Sequence, residues 1–331
     1  YKIVIMQKSL TIIGAGAWGS ALAIILSDKF DEIFLIDRDK ENIKKLGRQH
    51  PVLGRPFTNI ITLSHDISSV AKSEGVLIAA PSYAFSDILE NIKPHLNVDH
   101  HIAWATKGFD SKNECFLHET FSKILPTYKA CIISGPTFAT EIVEKKPAAI
   151  VVASKDKKTR DFWLSIIQTD KLRAYTNTDI IGVQVGGCVK NVLAIAAGVA
   201  NGLGFGANTQ AALITRGLAE MTRLGVALGA EKLTFQGLSG MGDLVLTCSD
   251  DLSRNRRFGK ELANNNSTDE ALSNIGATVE GFNALRLVIG IAKKHQIEMP
   301  ICEQVLEVVE GRKTPTDAVN DLLLRKPNPE Y

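Results

Sequence analysis

The sequence predicts an α/β fold in two parts: a doubly wound parallel sheet over residues 8–178 and an all-helical domain over residues 179–331. Three observations carry this. Short apolar β-branched runs alternate with helically patterned stretches through the first half. A glycine-spaced turn, "GAGAWG", joins the first such run to the first helical stretch. After about Asp179 the strand signal stops and every patterned segment is helical. A chain of 331 residues is also long enough for about two domains.

The strand candidates are "LTII", "EIFLI", "GVLIAA", "HIAWAT", "ACIIS" and "AAIVVAS". They are apolar throughout rather than alternating, as strands buried on both faces must be. Strand and helix in strict alternation imply parallel pairing through crossover helices. In the second half, "VGGCVKNVLAIAAGVANG", "TQAALITRGLAEMTRLGVALG", "VEGFNALRLVIGIAKKH" and "CEQVLEVVEG" read as helices. No flexible linker separates the halves, so two closely packed domains with a cleft between them are expected.

The glycine turn follows the strand candidate Leu10 to Ile13 and opens the helical run that includes Ala21 to Leu26. In a dinucleotide-binding, Rossmann-type unit each glycine has a task. Gly14 makes the tight turn, Gly16 admits a pyrophosphate to the backbone, and Gly19 lets helix and strand approach. The helix start then offers N–H groups and a positive dipole end to the anion. The alternative is a structural turn that holds nothing. Asp37 closes the second strand, about twenty residues past the loop, where an acid can bond the adenine ribose hydroxyls. Arg38 beside it is suited to a 2′-phosphate, so NAD and NADP both stay open.

Three motifs bring a cation among small residues. In "WATKGF", Lys107 follows the strand His101 to Ala105, at the end where open parallel sheets bind ligands, although a solvated lysine would fit the position equally. In "VGGCVKNVLAIAAG", Lys190 lies on a helix face shared with Gly186, Gly187, Ala194 and Ala197. Small neighbours leave room for a ligand there. Close helix packing with a snorkelling lysine is the competing explanation. In "GLSGMGDLVLTCSDDLSRNRRFG", Asp243 follows a glycine-rich turn, and Ser253, Arg254 and Asn255 form a compact donor set suited to phosphate. Arg254, Arg256 and Arg257 could equally form a solvated helix face. In "SGPTFATE", Thr137 and Glu141 fit a helix N-cap and its first turn, and capping is the favoured role of Glu141.

Other features exclude function classes. The 38 basic and 36 acidic residues leave a net charge of +2, without the footprint expected of a nucleic-acid or membrane partner. Five widely spaced cysteines without a CxxC suit reduced thiols in the cytoplasm. Cys188 reads as a packing residue rather than a nucleophile. No His or Cys cluster has metal-ligand spacing, so no metal is expected. No apolar run approaches the ~20 residues that span a bilayer, so membrane insertion is not expected. The opening residues are too short an apolar stretch for a signal peptide. A start at Met6 is consistent with the sequence, which would make Tyr1 to Ile5 a leader.

With these residues in place, the chain resembles the bacterial NAD(P)-dependent glycerol-3-phosphate dehydrogenases from about Gly14 to Arg312. The ordered set is "GAGAWGSALA", "ATKG", "SGPTFATE", "CVKNVLAIAAG", "GLSGMGDLVLTC", "SRNRRFG" and "VEG". The resemblance implies a 6-phosphogluconate dehydrogenase-like arrangement of the two domains. It implies reversible hydride transfer between sn-glycerol 3-phosphate and dihydroxyacetone phosphate with NAD or NADP, a cytoplasmic homodimer, and a product that feeds phospholipid synthesis. It makes Lys190 the acid/base, with Asp243 beside it as a catalytic residue. Lys107, Gly135, Thr137, Ser253, Arg254 and Asn255 would line the small phosphorylated substrate, together with Lys190 and Asp243. Ala17, Trp18, Arg38, Ala139, Thr278 and Glu280 would join Gly14, Gly16, Gly19 and Asp37 in binding the cofactor, which Lys107 and Arg254 also reach. Burial and Lys107 should lower the pKa of Lys190, with Asp243 opposing them. Two other readings compete. A 3-hydroxyacid, 6-phosphogluconate or ketopantoate reductase would share the architecture, but "SRNRRFG" with "GMGDL" favours a small phosphate ester. A dinucleotide-sensing regulator would need no proton donor at the position of Lys190.

Overall fold

The computed structural model describes residues 7–264 and 266–326. The expected leader, Tyr1 to Ile5, lies outside them. The chain divides into two compact units between Gln184 and Val185.

The first unit is built on an eight-stranded sheet. Its strands are β1 (Gln7–Ile13), β2 (Phe30–Ile36), β3 (Ile61–Ser64), β4 (Gly75–Ile78) and β5 (His101–Trp104), then β8 (Ile132–Ser134), β9 (Ala148–Ala153) and β10 (Leu172–Asn177). A small separate hairpin pairs β6 (Phe109–Asp110) with β7 (Cys115–Phe116). The order is β10-β9-β8-β5-β4-β1-β2-β3. From β3 to β8 every pairing is parallel, and the chain direction of travel along the sheet reverses between β1 and β4. β9 runs antiparallel to β8, which makes the sheet mostly rather than wholly parallel. β10 then pairs parallel with β9.

Helices α1 (Ala17–Leu26), α2 (Lys40–Leu46), α3 (Phe85–Ile92), α4 (Leu117–Ile124), α5 (Ala139–Val143) and α6 (Lys157–Ile167) make the connections. One core contains Leu10, Ile12, Leu22, Ile33, Leu35, Leu77 and Trp163, all fully buried. Another stack sets Trp104 against Phe85 and Phe121, with ring centroids 5.3 and 5.2 Å apart. All six runs read as strands are strands. β3 and β10 carry no such signal, because both lie at the sheet edges and neither is apolar along its length: β10 alternates buried Leu172 with exposed Arg173.

The second unit takes most of α7 (Ile180–Gly202), then α8 (Ala207–Ala227), α9 (Asp243–Ser249), α10 (Arg254–Ala263), α11 (Thr268–Ile275), α12 (Glu280–Lys294), α13 (Pro300–Val309) and α14 (Pro315–Leu323). A wide π-type turn, Leu238–Gly242, leads directly into α9. Local signals stop and start these helices. Ser267 and Glu270 form a reciprocal capping box on α11, which Gly276 closes in the left-handed region at φ 62°. From α8, Glu220 reaches the start of α13 and accepts from the N–H groups of Ile301 (2.7 Å) and Cys302 (3.3 Å).

The expectation that no apolar run approaches membrane-spanning length is corrected by α7. Within its 23 residues an 18-residue window reaches a mean hydropathy of 1.7, enough by length and composition to cross a bilayer. Of that window, 94% is buried within the protein. A helix surrounded by core is apolar on all sides for the same reason that a membrane span is.

Candidate active site

In the first unit, the predicted residues gather where parallel strands end. Gly14 follows β1, Asp37 follows β2, Lys107 comes shortly after β5, and Gly135 follows β8. All four strands run the same way, so these residues leave one edge of the sheet, the edge where open α/β sheets bind ligands.

The glycine loop has the geometry of a phosphate cradle. Gly14 sits at φ 110°, and its N–H donates to the Ile36 carbonyl at 2.8 Å. A Cβ there would lie 2.7 Å from the Ala80 nitrogen. A Cβ on Gly19 would lie 1.9 Å from the Gly14 carbonyl oxygen, so only glycine lets α1 press onto the turn. Gly16 is exposed with open space over its α-carbon. It is the N-cap of α1, and no side chain caps that end. Helix N–H groups and open space together fit a pyrophosphate. Ala17 and Trp18 form the first turn. Trp18 packs on a small cluster of Ala21, Leu53 and Val143 that Ala139 also joins. Two predicted cofactor contacts on different helices thus share one patch.

Lys107 donates to the Gly135 carbonyl at 3.1 Å, and Thr137 donates to the same oxygen at 3.3 Å. The structure therefore brings together Lys107, Gly135 and Thr137. Gly135 is at φ 152°, and a Cβ would come within 3.1 Å of the Ile150 α-carbon. The capping role expected in this segment is corrected. The N-cap of α5 is Phe138, with no side-chain cap; Thr137 bonds Gly135 instead, and Glu141, in the first turn, pairs with Lys146 at 3.4 Å.

In the second unit, Lys190 is 6% exposed and Asp243 1%. The Lys190 Nζ donates to Asp243 Oδ1 at 2.7 Å and to Thr247 Oγ1 at 2.9 Å. Thr247 in turn donates to the Asp243 carbonyl one turn back along α9, at 2.6 Å, which leaves its lone pairs to the lysine. A buried ion pair adds little net stability, because desolvating both charges offsets their attraction. Lys190 does not snorkel. The room expected beside Gly186 is not left for a ligand either: a Cβ there would lie 2.3 Å from the Ser239 carbonyl oxygen, so the backbone of the π-type turn fills it. That approach is what carries Asp243 to the lysine. Cys188 is buried. Burial pushes the nearby Cys248 thiol up to about 12, so it stays protonated.

The expected phosphate donors separate into different environments. Ser253 is the N-cap of α10 and accepts from the Arg256 N–H at 3.2 Å. Asn255 donates to Asn191 Oδ1 (3.0 Å) and accepts from the Gly281 N–H (2.8 Å), tying α10 to α7 and α12. Arg254 is exposed. Desolvation of its guanidinium lowers its pKa, Glu280 at the start of α12 opposes that, and Arg257 adds to the lowering. Thr278 sits two residues before α12. Arg256 is not part of a solvated face: it is 6% exposed and pairs with Asp251.

Two residues of this site were not read from the sequence. Thr247 stands four residues after Asp243, a spacing that puts both on one helix face and could have revealed it. Asn191 follows Lys190 directly, and nothing in its local pattern separates it from a core position.

Comparison with known proteins gives the family. Residues 9–160 match the family model described as the NAD-dependent glycerol-3-phosphate dehydrogenase N-terminus, and residues 179–320 match that of its C-terminus. A glycerol-3-phosphate dehydrogenase [NAD(P)+] from Ruthia magnifica subsp. Calyptogena magnifica is 59% identical, over 97% of this chain and 99% of its own. The crystal structure of glycerol-3-phosphate dehydrogenase from Coxiella burnetii has a TM-score of 0.92 at 38% identity, covering 97% of this chain and 100% of that one. A PanE/ApbA family ketopantoate reductase from Ralstonia eutropha has a TM-score of 0.58 at 15% identity, over 94% of this chain and 99% of that one, a likeness of fold alone.

Proposed function

The chain belongs to the NAD-dependent glycerol-3-phosphate dehydrogenase family, and from that premise we propose how its residues divide the work. It is an NAD(P)-dependent oxidoreductase that interconverts sn-glycerol 3-phosphate and dihydroxyacetone phosphate. When bound, the reduced nicotinamide supplies hydride to C2 of the ketone.

Lys190 supplies the proton. As C2 is reduced, negative charge grows on its oxygen; the ammonium stabilises that charge and transfers a proton to it, and in the reverse direction the neutral amine removes it. Asp243 and Thr247 hold the amine in one rotamer by the two bonds described above, so little reorganisation remains at the moment of transfer. Arg254 takes the phosphate; Ser253 keeps its hydroxyl hydrogen, and Asn255 its second amide N–H, to donate beside it. Lys107, steadied on the Gly135 carbonyl beside Thr137, contacts both substrate and cofactor. Gly14, Gly16, Ala17, Trp18, Gly19, Asp37, Arg38, Ala139, Thr278 and Glu280 bind the cofactor.

The observation that carries this reading is the buried lysine held by a carboxylate and a hydroxyl from the next helix over. The test compares dihydroxyacetone phosphate with ketopantoate, following loss of the reduced nicotinamide's absorbance. Turnover of the triose phosphate alone is expected; equal or faster turnover of ketopantoate overturns the substrate assignment.

We further assign the enzyme to the cytoplasm, as a homodimer that supplies glycerol 3-phosphate to phospholipid synthesis. Cys115, Cys131, Cys248 and Cys302 form no disulfide, which supports a reducing compartment. Phe205, Met241, Val245 and Leu252 of the second unit expose large apolar side chains, which supports self-association. Light scattering on the purified protein measures the dimer directly.

A further inference from the structure

The relatives carry both nicotinamide cofactors in their names, and Asp37 next to Arg38 presents opposite charges where the adenine ribose is expected. The structure treats the two residues differently. Asp37 is pinned at three points. Its N–H donates to the carbonyl of Ser64, the last residue of β3, at 3.0 Å, extending the β2–β3 pairing one residue past the end of β2. Its Oδ1 accepts from the Asp39 N–H at 3.0 Å, and its Oδ2 accepts from the Asn42 side-chain amide at 2.7 Å. Asp37 and Asn42 are both half-buried, whereas Arg38 is exposed.

A carboxylate held through both oxygens cannot swing aside. Its charge stays at the tip of β2, where it can accept from ribose hydroxyls and must repel a 2′-phosphate. The neighbouring guanidinium could neutralise that phosphate only by ordering a long, solvated side chain, while the fixed carboxylate still repelled the phosphate. Resting on the dehydrogenase reading above, we propose that Asn42 is a specificity-determining residue: by locking Asp37 it makes the enzyme prefer NADH to NADPH. Asn42 itself acts through Asp37 and is a positioning residue.

The experiment measures kcat/KM for NADH and NADPH with saturating dihydroxyacetone phosphate in the wild type, Asn42→Ala, Asp37→Asn and Arg38→Ala. The wild type should favour NADH by about tenfold or more, the scale of a like-charge penalty at a partly solvated site. Asn42→Ala frees the carboxylate to turn out and should raise NADPH use several-fold. Asp37→Asn removes the charge and keeps the shape, so it should raise NADPH use further. Arg38→Ala should weaken NADPH more than NADH. A wild type that uses both cofactors equally, or prefers NADPH, overturns the proposal, and so does an Asn42→Ala variant with an unchanged NADH to NADPH ratio. A protein that oxidises neither cofactor with this ketone contradicts the underlying dehydrogenase reading instead, so the two failures are distinct.

Discussion

Adding one methyl group at Gly186 should damage the site from four residues away. An alanine Cβ there would lie 2.3 Å from the Ser239 carbonyl oxygen and 3.1 Å from its carbon, both backbone atoms that no side-chain rotation can move. Reaching ordinary contact requires α7 and the π-type turn to separate by about 1 Å. Overpacking of this kind costs about 1–3 kcal/mol, and the better helix propensity of alanine returns up to about 1 kcal/mol. The net loss, on the order of 1 kcal/mol, should lower Tm by a few degrees. The turn leads straight into Asp243, so the same displacement strains the 2.7 Å bond to Lys190. A misplacement of about 1 Å in a catalytic array can cost about a hundredfold in rate. Thermal unfolding and single-turnover oxidation of NADH read the two effects separately. A Gly186→Ala protein as stable and as fast as the wild type would show that the close approach does not position the acid.

The other expectations concern separate parts of the molecule. Arg254→Ala should raise KM for dihydroxyacetone phosphate by about ten- to a hundredfold, on the scale of a lost charge-assisted contact, while a wild-type KM removes Arg254 from the phosphate site. Burial pushes the Glu220 carboxyl up to about 7 from an ordinary 4.5, against the opposing bonds from Ile301 and Cys302. Between those values the folded protein holds a proton that the unfolded chain has released, so this group's contribution is full below about pH 4.5, is lost as pH rises, and is gone above about pH 7. The linkage is on the order of 3 kcal/mol. Glu220→Gln cannot ionise, so its stability relative to wild type should rise across that window in urea titrations; a flat difference shows that Glu220 is not the titrating group. The cofactor ratio of Asn42→Ala is the further expectation set out above.

Much of the architecture was legible because burial writes itself into composition. Strands covered on both faces, such as β4 with all four residues buried, must be apolar and announce themselves. β3 and β10 went unseen because an edge strand with a solvated side needs no apolar run. Lys190 and Asp243 were legible for a related reason: a charge amid glycines and alanines is out of keeping with its surroundings. What those glycines do was not legible. Small residues at 186 leave a space in the sequence pattern, but only the tertiary structure decides whether a ligand or a backbone carbonyl fills it. The polar chain from Asn191 through Asn255 to the Gly281 N–H links residues 64 and 26 positions apart, beyond the reach of any local periodicity. Donors grouped in sequence, as in Ser253, Arg254 and Asn255, were also separated by helix geometry: a cap, an exposed cation and a buried cross-link.

The most direct measurement is the single-turnover rate of Lys190→Ala with saturating NADH and dihydroxyacetone phosphate, alongside its affinity for NADH. The account expects the chemical step to slow by about 10²–10⁴, the scale of lost proton transfer, while NADH binds as before. A chemical step that runs at the wild-type rate in a folded Lys190→Ala protein would contradict the role of this lysine as the proton donor.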